Sequence, residues 1–175
     1  MIKLYRNDGE MLHYWEAWNT NNEITIHWGA VGQEGDTREI TLPPGNDVSS
    51  VIEAEAAQPR AEGYQEIEGD RLQRVTIQYP ILEMGTTADL EKRYEVETLM
   101  NNRLGWTGLG HCDGGDIGSG TMNIFCFVVD PDKAAQIIAE ELNENDLLTD
   151  AKIILVSEED EERLLFPIAS LNRTQ

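Results

Sequence analysis

Residues 104–130, LGWTGLGHCDGGDIGSGTMNIFCFVVD, hold a tryptophan, seven glycines, the triplet His111-Cys112-Asp113 and the apolar run 122–129. No other stretch restricts the fold so much. Glycine at this density belongs where the backbone needs positive φ or close approach by another group. An apolar run with so little polar alternation predicts a strand buried on both faces. A glycine-rich loop feeding a central strand builds either a binding site or a plain hairpin, and these residues leave both open.

The remainder reads as globular protein. Its 175 residues, 40% hydrophobic and 26% charged, suffice for one large domain or two small ones. Thirteen Lys and Arg against 33 Asp and Glu leave a net charge of −20. Such a field repels polyphosphate and attracts basic partners, so a basic protein is the expected partner and nucleic acid is disfavoured. No run reaches the roughly 18 apolar residues of a membrane helix, and MIKLYRNDGEM has no apolar signal core. The expected location is therefore cytoplasmic, with no membrane partner. The two cysteines, Cys112 and Cys126, make no disulfide framework and are read as reduced thiols.

In the first half, strands are predicted over 2–5, 12–18, 23–29 and 37–42, where β-branched and aromatic residues lie between turn-forming NDG, NTNN and GQEGD. Ile24, Ile26 and Trp28 alternate with polar residues, which predicts one face on a core. Asp47 or Ser49 can cap a helix carrying Val48, Val51, Ile52 and Ala56 at helical spacing, with Pro59 as its limit. Trp15, Trp18 and Trp28 are read as core rather than as an exposed stacking platform, and His13 and His27 as surface or satisfied strand histidines.

Tyr14-Trp15-Glu16 on one strand, a next strand ending Trp28-Gly29-Ala30-Val31-Gly32, then Gly35, a further strand, a helix and Gly63-Tyr64 form an order that resembles the WGR domain. That family is named for a Trp-Gly-Arg signature and occurs in poly(ADP-ribose) polymerases and in bacterial proteins. The resemblance covers about residues 1–68 and implies an antiparallel meander with one helix. It would also imply DNA contact through the signature Trp and Arg. Ala30 stands where the family has its Arg, so the guanidinium that pairs with phosphate is missing. Residues 1–80 carry six basic and 14 acidic side chains, a net of −8. The fold is carried over and the DNA binding is withheld.

Residues 66–70, acidic and glycine-containing, read as a linker or a long turn. Beyond it a strand is predicted over 71–81, a helix over 88–103 capped by Thr86-Thr87, a weak strand over 105–112, the apolar strand 123–129, a helix after Asp130-Pro131, a core strand over 151–156 and an edge strand over 163–168. Strand, helix, strand, strand, helix, strand is the ferredoxin-like βαββαβ pattern, here over residues 71–175. The fold class is thus α+β, an N-terminal β-meander plus helix followed by a ferredoxin-like domain. The acidic run 157–162 reads as a solvated turn.

The candidate chemistry is thin. His111 and Cys112 invite a nucleophile reading, but neighbours on a strand point to opposite faces, and acidic surroundings blunt a thiol. Asp113-Gly114-Gly115-Asp116 lacks the spacing of a calcium loop, and zinc would need most of the five His and Cys side chains in one place. Glycines 114, 115, 118 and 120 can form an anion nest, which the flanking carboxylates oppose. No catalytic residue, metal ligand or cofactor is therefore assigned. The reading is a non-catalytic acidic protein-binding module, with Trp28, Trp106, His111, Asp113 and Asp116 as binding candidates. Two rivals stand beside it. One is a WGR-type nucleic-acid module, which needs Arg71, Arg74, Lys92 and Arg93 to cluster; the other is a ligand, metal or enzyme site on the glycine-rich loop 108–120.

Overall fold

The computed structural model describes residues 1–157, 159 and 161–167. It is an α+β protein, with nine strands in two antiparallel sheets and three α-helices among the described residues. The chain separates into two compact units. One is Met1–Gly69 with Trp106–Gly108, and the other is Asp70–Gly105 with the chain from Leu109 onward. The short return of residues 106–108 to the first unit is a departure from a division at one linker.

In the first unit, β1 (Ile2–Asn7), β2 (Leu12–Thr20), β3 (Glu23–Ala30) and β4 (Asp36–Thr41) form a meander in sequential order. Its first turn is set by Asp8, whose carboxylate accepts the Glu10 and Met11 N–H groups, and by Gly9 at φ 95°. Register places Trp15 opposite Trp28 and Glu16 opposite His27, so the two faces of this sheet differ in chemistry. Leu4, Trp15, Ala17, Ile24 and Ile26 make an apolar face that packs with Ile52 and Ala56 of α1 (Val48–Ala61). Asp47 caps that helix by accepting the Ser49 N–H. The helix passes the limit expected at Pro59 by two residues. Pro59 has no N–H to give the Glu55 carbonyl, a loss that falls only at the end of the helix, and its ring is buried there.

In the second unit, β5 (Gln73–Pro80), α2 (Thr87–Trp106), β6 (Gly110–Gly118), β7 (Thr121–Val128), α3 (Pro131–Glu144), β8 (Lys152–Val156) and β9 (Glu162–Phe166) follow one another. The sheet order is β6-β7-β5-β8-β9, the ferredoxin-like arrangement with the first and third strands central and one hairpin strand added. Thr86 and Asp89 cap α2 reciprocally, and Asp130 caps α3 ahead of Pro131. An Arg103–Glu141 ion pair at 3.2 Å joins the two helices side by side. They cover only one face of the sheet. Residues 122, 124, 126 and 128 of β7 are therefore buried, while Asn123, Phe125 and Phe127 on the other face are partly exposed. The expectation of burial on both faces fails because an antiparallel sheet needs only one covered side. Of the expected edge strand 163–168, Ile168 lies outside the described residues.

Candidate functional site

The glycine-rich stretch is a strand for most of its length, not the expected loop. β6 pairs with β7 from Gly110 to Gly118, with a register shift between Cys112 and Gly115. The extra residue there is a β-bulge at Asp113-Gly114, where Gly114 sits at φ 78°. The turn itself is only Ser119-Gly120, both at positive φ (54° and 87°), a two-residue hairpin of the I′ kind. Gly115 is needed for a different reason. A Cβ on it would lie 2.2 Å from the Asn123 carbonyl oxygen.

This geometry disperses the five candidate binding residues. His111 faces the open side of the second sheet and stacks on Phe127 with ring centroids 5.8 Å apart. Asp116 shares that side and accepts from Asn123 Nδ2 at 2.7 Å, while Asn123 Oδ1 accepts from Gln78. Asp113 is exposed on the bulge. Among the described residues no group of three or more His, Cys, Asp or Glu side chains is placed to hold a metal. Trp106 and Trp28 lie in the first unit, on opposite sides of its sheet.

Of the basic residues that a nucleic-acid reading would gather, Arg74 and Lys92 lie on opposite faces of the sheet. Arg74 lies over the Phe125 ring on the open face of β5. Lys92 instead caps the ring of Tyr79, an odd number of residues from Arg74 and so on the helix-covered face. Arg93 stacks on Tyr94 of its own helix.

Trp28 is 36% exposed and helps to wall an open groove of about 360 Å³. The floor is Trp15 and Ile26. Arg38, Glu55, Glu62 and Tyr64 supply the sides. Arg38 pairs with Glu55, and the Arg6 guanidinium stands 4.8 Å above the Tyr64 ring. Trp15, Trp18 and Trp28 make no continuous platform, since strand parity sends Trp18 to the other face.

That other face carries a buried polar chain that the sequence reading did not anticipate. Lys3 Nζ meets Glu16 Oε2 at 2.9 Å, Glu16 Oε1 accepts from His27 Nδ1 at 2.8 Å, and His27 Nε2 lies 2.8 Å from the Tyr14 hydroxyl. Tyr14 and His27 have no solvent exposure. A carboxylate only accepts, so Nδ1 carries the proton toward Glu16; in the neutral ring Nε2 then accepts from Tyr14. Burial opposes the Glu16 charge, but the His27 hydrogen bond and the Lys3 ammonium outweigh it and hold the carboxyl below its ordinary value. Burial and the nearby Glu16 charge push the Tyr14 phenol up.

Residues 106–108 close this face. The Trp106 ring lies 4.9 Å from His27 and 6.1 Å from Trp18, edge to face in both cases. The Tyr5 hydroxyl donates to the Gly108 carbonyl at 3.0 Å, and the Gly32 N–H donates to Thr107. Gly108 is at φ 64°, where a Cβ would sit 2.2 Å from the Tyr14 ring. One signal in the sequence pointed to this chain. A two-residue turn at Asn21-Asn22 puts Glu16 opposite His27 by counting alone.

No helix is long and apolar enough to cross a membrane among the described residues. No protein-family model, curated protein or solved structure matches the chain.

Proposed function

We propose that this protein is a non-catalytic, cytoplasmic binding module with a WGR-like first unit, and that it docks on a basic protein through the Trp28 groove. The observation that carries the reading is the groove's composition. Trp28 supplies an exposed aromatic face and Glu62 a carboxylate beside it, while Glu55 is shared with Arg38 and the Tyr64 ring with Arg6. An arginine side chain entering such a slot gains a cation–π contact with the indole and donates charge-assisted hydrogen bonds to a carboxylate. The net charge of −20 favours encounter with the same class of partner. Ala30 in place of a signature arginine, and the separation of Arg74 from Lys92 by the sheet, tell against phosphate as the target. The free thiols of both cysteines suit a reducing compartment.

The test uses defined probes. Binding of the full chain to an arginine-rich peptide is compared with binding to the same peptide carrying citrulline, a neutral isostere, and to a DNA duplex of equal length. The arginine peptide is expected to bind, with affinity falling as salt is raised. Trp28→Ala should weaken it about tenfold, the value of a desolvated cation–π contact with the packing around it. Equal binding of the citrulline peptide, undiminished binding by Trp28→Ala, or tighter binding of the duplex would each refute the reading.

A further inference from the structure

Away from that groove, the two cysteines of the chain face one another. Cys112 of β6 is directly opposite Cys126 of β7, and their sulfur atoms are 2.8 Å apart as free thiols. The Cys112 N–H donates to Asn101 Oδ1 at 3.1 Å instead of to β7. That marks the pair as a non-hydrogen-bonded one, the position at which side chains on antiparallel strands approach most closely. The bulge creates this meeting. Counting back from the Ser119-Gly120 turn without it would set Cys112 against Phe127; the extra residue at Asp113-Gly114 moves it into line with Cys126.

We propose that Cys112 and Cys126 are a redox-active dithiol that closes to a cross-strand disulfide on reaction with a small-molecule disulfide of the glutathione class. Cys112 is partly exposed and Cys126 is buried, which fixes the order of events. The Cys112 thiolate attacks one sulfur of the small disulfide, whose S–S bond breaks; one small thiolate leaves and takes a proton, and a mixed disulfide remains on Cys112. Cys126 then loses its proton and attacks the Cys112 sulfur, expelling the second small thiol. The protein gives up two electrons and two protons, and the small disulfide becomes two thiols. The hydrogen bond with Cys112 and burial push the Cys126 thiol well above its ordinary value. It therefore stays protonated until an electrophilic sulfur is placed beside it. The product ties the edge strand β6 to β7 next to the bulge, and excess thiol reopens it.

The experiment incubates the full chain in buffers of graded oxidised-to-reduced glutathione ratio, quenches with acid, alkylates free thiols and maps peptides by mass spectrometry. The expected result is loss of both thiols together, an intramolecular Cys112–Cys126 peptide lighter by two hydrogens, and recovery of both thiols in excess reduced glutathione. Cys126→Ser should stop at one glutathione on Cys112, and Cys112→Ser should remain unmodified. Accumulation of a mixed disulfide on the wild-type chain, bridging only between molecules, or two free thiols in fully oxidised glutathione would overturn the proposal. Should Cys126→Ser fail to fold by circular dichroism, Cys112→Ser and the wild-type peptide map still decide it.

Discussion

Tyr14→Phe removes one oxygen atom from the buried polar chain and leaves the ring in place, so its cost is that of the hydroxyl's hydrogen bonds, the 2.8 Å one to His27 first and the longer ones to the Gln33 and Trp106 carbonyls after it. The ring packs against Gly108, where no Cβ fits, and that contact survives. What is lost is the partner of His27 Nε2, 2.8 Å away with both side chains out of water. A buried polar atom left unpartnered costs about 1–3 kcal/mol, and the void left by one oxygen is too small to admit a rescuing water. With a urea slope of about 1–2 kcal/mol per molar for a small unit, the midpoint should fall by roughly 1 M. The assay has a built-in address. All four tryptophans, Trp15, Trp18, Trp28 and Trp106, belong to the first unit, so indole fluorescence follows that unit. A midpoint unchanged within error, with native fluorescence retained, would show that the hydrogen bond contributes nothing and that the chain was misjudged as a structural element.

Three further outcomes follow from the same geometry. Gly108→Ala should cost about 2–4 kcal/mol, from an alanine held at positive φ and a Cβ driven into the Tyr14 ring, read by the same fluorescence transition. In β6, Gly115→Ala should cost more than Gly114→Ala. The first collides with the Asn123 carbonyl, whereas the second meets open space and bears only its φ of 78°, about 1 kcal/mol; circular dichroism melts of the two variants would show the order. Glu16 is an acid whose folded pKa lies below its ordinary value of 4.5, so its stabilisation is complete above that value and is lost as pH falls through the folded one. Fluorescence-monitored stability of the wild type should therefore drop across the acid range below about pH 5 more steeply than that of Glu16→Gln.

The elements were legible because local chemistry and tertiary need agreed in most of them. Turn-forming NDG and NTNN, the Asp47, Thr86 and Asp130 caps and the alternation at Ile24–Trp28 all mark boundaries with a physical cause inside a few residues. The sheet order of the second unit also followed from element order, because a βαββαβ chain has few ways to return its strands. The site was less legible. Asp113-Gly114 reads equally well as a turn or as a bulge, since positive φ at a glycine serves both. That single ambiguity hid the length of β6 and the meeting of Cys112 with Cys126. Trp106 stands in the sequence only as a binding candidate. Its contact with His27 spans 79 positions of chain and depends on a segment returning to the first sheet, which no local pattern encodes.

The Lys3–Glu16–His27–Tyr14 chain has the connectivity of a catalytic relay, with an acid orienting a histidine that faces a hydroxyl. Its surroundings deny it that use. A hydroxyl nucleophile must reach a substrate, and the Tyr14 oxygen is enclosed by Gly29, Gly35, the Gln33 carbonyl and the Trp106 carbonyl, with no exposure. A base must also lower the barrier to losing the phenol proton, and here burial and the Glu16 charge raise it. The same features make sense as a specificity device. A small sheet with few large apolar residues gains one unique register when Glu16 must meet His27, and one unique closure when Trp106 must cover both. If that is the role, His27→Gln, which can still bridge Glu16 and Tyr14 by donating to one and accepting from the other, should keep a cooperative fluorescence transition. His27→Leu, of similar bulk but without polar atoms, should lose about 3–5 kcal/mol by leaving Glu16 charged and short of a partner. Equal stability of the two variants would remove the argument.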